Sequence, residues 1–301
     1  MKRILILLFL LPSCLFSFDS NNFKIYTKIG YSTTPSSDFF DNGRFSLYSL
    51  RAKYSDNIAN DLRIVTQCEF TQFEGDTLFP YVKYTDFRFH LLDAVFLYNA
   101  KILDMSFGRF IPSFSYSLPR SVVNNPMMHY PVFNNYFLNN RINGMEVGFD
   151  VPFGNNSFRI NAIVGENQSK FKLFSSALNV NEIFKISAYG GNKDTIWNIS
   201  SDGYNVFGGF TFINLYFLNF LFEIQYNSLA NGSFISYNLS VNINISGFNT
   251  SVIYDQYDTK KLIGFSMSYW IIEKRFDISS KYELDLNSKD SKYYIVLEGI
   301  I

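Results

Sequence analysis

The sequence predicts an all-β protein: a transmembrane antiparallel β-barrel of sixteen strands with both termini at the same end. Three observations predict it. Short segments alternate apolar and polar residues, the polar faces of these segments carry whole charges, and the connecting segments fall into a short and a long class. Successive side chains of a strand point to opposite faces, so strict alternation indicates a sheet with two different environments. In a membrane barrel these environments are lipid outside and a polar lumen inside.

The first 17 residues have the pattern of a secretory signal peptide. Lys2 and Arg3 form the charged start, Ile4 to Leu11 form a short apolar core, and Ser17 is a small residue where cleavage is expected. The core is too short to span a membrane as a helix. The sequence therefore predicts two regions, a signal peptide over 1–17 and a barrel over 18–301.

Charge and motif content exclude several classes of function. Loss of Lys2 and Arg3 with the signal leaves 24 basic and 26 acidic residues without a basic stripe, so we expect no nucleic-acid partner. No metal-ligand spacing, phosphate-binding loop or nucleophile elbow is present, so we expect neither a cofactor nor an enzyme. Beyond the signal, no apolar run approaches the roughly 18 residues of a transmembrane helix.

The clearest strand runs from Met145 to Val151, where apolar residues alternate with Glu146, Gly148 and Asp150. The next strand repeats the pattern after a turn, with Arg159 on the polar face. A sandwich core would not tolerate whole charges on its inner face, whereas a wet lumen would. The same reasoning places other basic residues on polar, lumen-facing positions: Lys24, Lys28, Arg51, Lys53 and Arg88.

The connecting segments predict the orientation of the barrel, because outer-membrane barrels have short periplasmic turns and longer external loops. The predicted short links are 55–61, 99–102, 152–156, 191–194, 213–215, 245–248 and 271–274, and the predicted long links are 32–44, 74–80, 111–143 and 166–179. This division gives sixteen strands. The alternation is weakest from Val180 to Ser201, where one hairpin could be absent and the count would fall to fourteen.

The last strand alternates up to Ile301 and is similar to the C-terminal signal of outer-membrane proteins, although that signal usually ends in Phe. We therefore expect an exported chain in a bacterial outer membrane. The expected partners there are the barrel-assembly machinery, outer-membrane lipid and lipopolysaccharide.

Three segments resemble the phosphate-selective porin family, the O and P porins: Leu92–Tyr98, Asp104–Tyr116 with its Gly-x-Phe-x-x-Pro pattern, and Arg141–Phe149. The sequence of the closing hairpin, Leu262 to Leu286, also resembles that family. The chain would be a divergent member with short loops. The resemblance implies a sixteen-stranded diffusion pore, a possible homotrimer, and a third external loop that folds inward.

The long link 111–143 is rich in Phe, Tyr, Met and Pro, which independently favours packing inside the barrel. Residues in or just before it become candidates for a pore constriction: Arg109, Arg120 and His129. Arg109 has an alternative interpretation, because strict alternation puts it on the face of Met105 and Phe107. There it would be a rim arginine that meets outer-leaflet phosphates.

The function expected from these features is passive diffusion of small solutes and ions. Selectivity follows from rings of like charge, and the predicted lumen mixes both signs, so we expect a weakly selective pore. Two alternatives stay open. Asp86, Arg88 and His90 share one strand face, which allows a barrel enzyme of the lipase or protease type, and a plugged structural or adhesive barrel would have the same strand pattern.

Overall fold

The computed structural model describes residues 22–33, 44–76, 83–114, 141–166, 169–195, 204–229, 232–272 and 276–300. The predicted signal peptide lies outside them. The described residues contain no helix that is long and apolar enough to cross a membrane.

Sixteen strands make up most of the described residues. They are β1 Phe23–Thr33, β2 Arg44–Ala59, β3 Leu62–Asp76, β4 Lys83–Asn99, β5 Leu103–Phe110, β6 Ile142–Phe153, β7 Asn156–Glu166, β8 Ser169–Val180, β9 Phe184–Thr195, β10 Tyr204–Leu215, β11 Leu218–Leu229, β12 Gly232–Ile245, β13 Phe248–Tyr257, β14 Lys260–Ile272, β15 Phe276–Asp285 and β16 Ser291–Ile300.

Each strand pairs antiparallel with its neighbours in sequence, and the first and last strands close the barrel. Thr27 of β1 stands opposite Leu50 of β2 on one side and Gly299 of β16 on the other. Closure matters because an unpaired backbone group costs several kcal/mol in lipid. The predicted sixteen-stranded barrel is confirmed, and the fourteen-stranded alternative is wrong.

The described links at the end where the chain enters β1 are turns of two or three residues, and we call this the short-turn end. Ser246 and Gly247 have φ values of 48° and 84°, the left-handed backbone that a two-residue hairpin between twisted strands requires. At the opposite end, the long-loop end, lies the 31-residue interval 111–141 between β5 and β6, here called the third loop.

Two predicted links are wrong. The segment 166–179 is not a long loop, because β8 occupies most of it and only residues 167–168 lie between β7 and β8. The segment 191–194 is not a turn but part of β9, and the turn falls earlier, at Asn181–Ile183. The two errors offset one another, so the strand count was unaffected.

The outer face of the barrel is apolar. Phe107, Phe174 and Phe207 are 63%, 64% and 58% exposed although they sit in the middle of regular strands. Alternating residues of the same strands point inward; some are polar or small, such as Asp104, Ser175 and Gly208, and others are buried apolar residues, such as Phe110, Leu173 and Val206. An apolar outer face is the reverse of a water-soluble barrel and is typical of one surrounded by lipid.

A buried apolar cluster nevertheless lines part of the inner wall, from β3 to β10. It packs around the root of the third loop and consists of Val65, Val95, Phe110, Phe114, Ile142, Ile163, Leu173, Tyr189 and Val206. The rest of the described inner wall is mainly polar, with a second small apolar cluster of Tyr294 and Val296 on β16.

Candidate functional site

The inner wall of β2, β3 and β4 carries a chain of charged and amide groups. Arg51 pairs with Glu69 at 2.7 Å between Nη2 and Oε1. With its amide oriented to satisfy both neighbours, Gln67 accepts a hydrogen bond from Nε of Arg51 at 3.0 Å and donates one to Asp93 at 2.9 Å. Asp93 in turn accepts from Nε of Arg141 at 2.9 Å. The chain therefore ties the wall to the residue at which the third loop returns to β6.

A second ionic cluster lies near the short-turn end and is centred on Arg159 of β7. Its guanidinium contacts Asp104 of β5 and lies 4.0 Å from Asp150 of β6, and Nε donates to Asn161 at 2.8 Å. Gly148 stands between these strands, and a Cβ there would lie 2.6 Å from the guanidinium. Because Gly148 has no side chain, Arg159 can reach across β6 to the carboxylate on β5.

The root of the third loop bends into the barrel. After Phe110, Ser113 donates its backbone N–H to Oε2 of Glu146 at 3.2 Å, and its hydroxyl donates to Oε1 of the same inward-facing carboxylate. Phe114 is only 2% exposed and contacts Tyr189 of β9 edge-on, with ring centroids 5.1 Å apart. The first residues of the loop therefore run along the inner wall from β5 towards β9. The rest of the loop, 115–140, lies outside the described residues.

Tyr189 continues this line across the wall. Its hydroxyl donates to Glu223 at 3.3 Å and to Gln225 at 3.2 Å, both on β11 and both fully buried. The ring passes over Gly208 of β10, where a Cβ would lie 2.7 Å from Cζ of the tyrosine. A glycine on the intervening strand again lets a long side chain connect two strands that are not neighbours.

Charge on the inner wall is unevenly distributed. The wall from β11 to β15 carries inward carboxylates that are largely buried: Glu223, Asp255, Asp277 and Glu283. Lys281 lies among them on β15. The wall from β1 to β9 carries inward cations interleaved with fewer carboxylates: Lys24, Arg51, Lys53, Arg63, Arg141, Arg159, Lys185 and Lys193. Both signs of charge are therefore present on the described inner wall, in different proportions on β1–β9 and on β11–β15.

Several residues predicted to line a pore do lie on the inner face. Lys24 stands opposite Lys53, and both share the face of Arg51; Arg159 lies inward as described above. Lys28 and Arg88 belong to β1 and β4, but their side chains lie outside the described part of the structure. The same holds for Arg120 and His129, which belong to the third loop.

Arg109 does not line the lumen, so its prediction as a constriction residue needs correction. It lies on the outer face, with Phe107 on the same side of β5 and the buried, inward Phe110 on the other. Its Nε donates to the backbone carbonyl of Leu91 at 3.1 Å, and Nη1 lies 3.4 Å from Oδ1 of Asn143. The strict alternation of β5 had indicated this side. Arg109 therefore caps the wall at the point where β5 ends.

The inner wall also contains residues that sequence reasoning did not select, above all Tyr189, Lys185 and Phe114. Tyr189 and Lys185 lie on β9, whose boundaries were predicted incorrectly, so their facing was not predicted. Phe114 is 75 residues from Tyr189 in sequence, and no local pattern connects them.

The residues proposed for catalysis do not form a described acid–base pair. His90 is exposed and stands opposite Glu69 in the β3–β4 register, with no hydrogen bond to a described residue. The side chain of Asp86 lies outside the described residues. Within the described ranges, no group of three His, Cys, Asp or Glu residues is placed to hold a metal ion.

No protein-family model matches the sequence, and no curated protein matches it. Solved structures share its fold. OmpF of Salmonella typhi, in complex with daunomycin, is 11% identical with a TM-score of 0.64, over 94% of this chain and 99% of that one. The outer membrane channel DcaP of Acinetobacter baumannii is 11% identical with a TM-score of 0.61, over 94% and 99%. OmpT of Vibrio cholerae, an outer membrane protein described in a trimer form, is 9% identical with a TM-score of 0.56, over 93% and 98%. At these identities the likeness establishes the fold, that of outer-membrane barrels.

Proposed function

We propose that this chain is a porin of a bacterial outer membrane, through which small solutes and ions diffuse passively with weak selectivity. The observation that carries the proposal is the closed sixteen-stranded barrel with an apolar outer face and an inner face of charged and amide groups. A barrel with this distribution places a polar path across lipid. The short-turn end is then periplasmic, and the third loop starts from the external end.

Weak selectivity follows from the charges on the inner wall. The arginines Arg51, Arg141 and Arg159 each contact a carboxylate of the same wall, which reduces the positive charge presented to a passing anion. The strands from β11 to β15 carry mainly buried carboxylates, so the inner wall as a whole mixes both signs of charge. Neither arrangement is the ring of like charge on which strong selectivity depends.

Phosphate selectivity, which the resemblance to the O and P porins implies, is a narrower hypothesis and the ion pairs do not favour it. Reversal potentials under a salt gradient test it directly. We expect values near zero for potassium chloride. A strong anion preference would restore the phosphate-selective hypothesis and would contradict weak selectivity.

A homotrimer is proposed from the free edge of β4. This strand pairs with β3 along almost its whole length but with β5 only from Ala94 to Asn99. On the side away from β3, residues 83–93 therefore have no strand partner among the described residues. Next to that edge, Phe89 and Leu91 are 58% and 47% exposed on the outer face. An open strand edge beside apolar side chains favours association. Native mass spectrometry of the detergent-solubilised protein should detect three copies; a monomer would contradict the proposal.

Contacts with lipopolysaccharide are proposed for the outer rim of β8. Lys170 and Lys172 are exposed near the long-loop end, and the latter shares the outer side of Phe174. Lysines at this position suit the phosphates of the outer leaflet.

A liposome-swelling assay with sugars of graded size tests the proposed function. Liposomes that contain the purified, folded protein should swell in small sugars, with a rate that falls as the sugar grows. A plugged structural or adhesive barrel would admit none of them, and that result would refute the proposal. Hydrolysis of lipid or peptide substrates that is lost in His90→Ala would instead support the enzyme alternative.

A further inference from the structure

A cavity of about 860 Å³ opens at the short-turn end, between the β6–β7 turn and the β8–β9 turn. Its inner side is formed by residues of β7 to β10, including Ser157, Asn179, Lys185 and Phe212. Sites that bind small molecules typically have volumes of about 300–1,000 Å³. The cavity is therefore large enough for a small solute that passes the periplasmic mouth.

The wall of the cavity is rich in amide and hydroxyl groups with unused hydrogen-bonding capacity. Nδ2 of Asn179 donates to Oγ of Ser157 at 3.0 Å, which leaves the serine hydroxyl hydrogen and Oδ1 of the asparagine for another partner. Oδ1 of Asn156 accepts from the backbone N–H of Asn181 at 3.1 Å, which leaves the asparagine NH₂ group. Because a sugar hydroxyl both donates and accepts, such a mixture of groups suits a polyhydroxylated ligand.

The cation of the cavity is Lys185, an inward residue of β9. Its Nζ lies 5.4 Å from the ring centroid of Phe210, and it forms no ion pair with a described carboxylate. Arg159 differs, because it contacts Asp104 directly. Glu182 also lines the cavity and Asp150 acts on Lys185 at longer range, but neither carboxylate forms an ion pair with it. A bound anion would supply a direct partner for this half-buried ammonium.

The turn that closes the cavity is held in place before any ligand arrives. Asn181 and Glu182 adopt φ values of 50° and 58°, and the N–H of Ile183 donates to the carbonyl of Val180 at 3.0 Å. Together with the Asn156–Asn181 hydrogen bond, this fixes the rim. A preformed site loses less conformational entropy on binding.

We infer that this cavity is a binding subsite for small organic monoanions that carry hydroxyl groups, the chemistry of a sugar acid. Lys185 receives the carboxylate, and Ser157, Asn179 and Asn156 receive the hydroxyls. A role of this subsite in permeation rests on the proposed function as a porin. Binding of the ligand does not require that the barrel conduct.

Calorimetric titration of the full-length, detergent-solubilised protein tests the inference, with sodium gluconate as probe and glucose and sodium acetate as comparisons. Gluconate should bind more tightly than either, because only gluconate offers both a carboxylate and hydroxyls. Lys185→Met should weaken gluconate binding about tenfold or more, the loss expected for one charge-assisted hydrogen bond. Asn179→Ala should weaken gluconate but not acetate.

Lys101→Met is the matched control, since Lys101 is an exposed lysine in the β4–β5 turn at the same end of the barrel. It should bind gluconate like the wild type, and all variants should show the β-sheet circular dichroism of the folded barrel. Glucose binding as tight as gluconate, or equal losses in Lys185→Met and Lys101→Met, would overturn the inference. Gluconate binding without channel conductance would support the subsite and refute the proposed porin function. Conductance without gluconate binding would support the porin function and refute the subsite.

Discussion

Removing the ring of Phe114 should release the root of the third loop from the inner wall. The side chain is 2% exposed and contacts Tyr189 with centroids 5.1 Å apart at an interplanar angle of 77°. Phe114→Ala removes this contact and leaves a cavity in the apolar cluster. The strand ladders do not involve Phe114, so the barrel itself should stay closed.

The magnitude follows from burial. Truncation of a buried Phe to Ala costs about 3–5 kcal/mol, of which the edge-on ring pair accounts for about 1 kcal/mol. Since about 1.4 kcal/mol corresponds to a factor of ten, the ratio of docked to undocked loop root should fall at least about a hundredfold. The hydrogen bonds from Ser113 to Glu146 and the packing of Ile111 remain in the variant, and they do not compensate for this loss.

Single-channel recording in planar bilayers measures the consequence. In Phe114→Ala the mean conductance should rise and the open-channel noise should increase, because a loop root that narrows the lumen has become mobile. Phe107→Ala is the matched control: the same substitution on the same wall, at a side chain that is 63% exposed on the outer face. Conductance and noise that match the wild type in Phe114→Ala, or that change equally in Phe107→Ala, would refute this reasoning.

Three further substitutions test the wall. Asp93→Asn should replace the ion pair with Arg141 by a neutral hydrogen bond and lower the free energy of unfolding in urea by about 1 kcal/mol, while the reversal potential moves towards anions. Unchanged values of both would show that the pair contributes nothing. Gly208→Ala should place a methyl group 2.6 Å from the backbone of β11 and 2.7 Å from the ring of Tyr189, lowering unfolding stability by about 1–3 kcal/mol; wild-type stability would mean that the strands separate at little cost. Arg109→Ala should lower stability by about 1–3 kcal/mol, because a backbone carbonyl of β4 loses its donor, and should leave ion selectivity unchanged; a changed reversal potential would return this residue to the pore.

The β6–β7 hairpin shows how far the sequence alone can lead. From Met145 to Val151 every outward residue is apolar and every inward one is charged or glycine, so period-two alternation identifies both the strand and its facing. The register confirms it, with Asp150 opposite Arg159 on the inner side. Here the local pattern and the environments of the folded barrel agree.

The prediction for the β8–β9 hairpin is wrong because, near the long-loop end, a polar residue faces outward and an apolar residue faces inward. Lys172 is exposed on the outer face, while Leu173 is 1% exposed inside, where it belongs to the cluster around the third-loop root. The assumption that apolar residues face lipid therefore fails in β8, and the segment 166–179 was predicted as a loop. The cluster that buries Leu173 also contains Phe114 and Tyr189, which are distant in the chain, so it has no local signature in the sequence.

The inner-wall connections were also beyond sequence reasoning. Nothing in the sequence around Gly148 and Gly208 indicated a role for them. Gly148 lets the side chain of Arg159 cross β6, and Gly208 lets the side chain of Tyr189 cross β10. Which residues meet across a glycine depends on the register of three strands. Register becomes known only when the barrel is closed.

Conductance of the purified protein in planar lipid bilayers tests the central claim, a water-filled path through the barrel, most directly. Insertion of the folded protein should produce discrete current steps of uniform size that persist at low voltage, with a reversal potential near zero in a potassium chloride gradient. Protein that inserts, as shown by its protection from protease in the same membranes, yet gives no current steps would contradict the account.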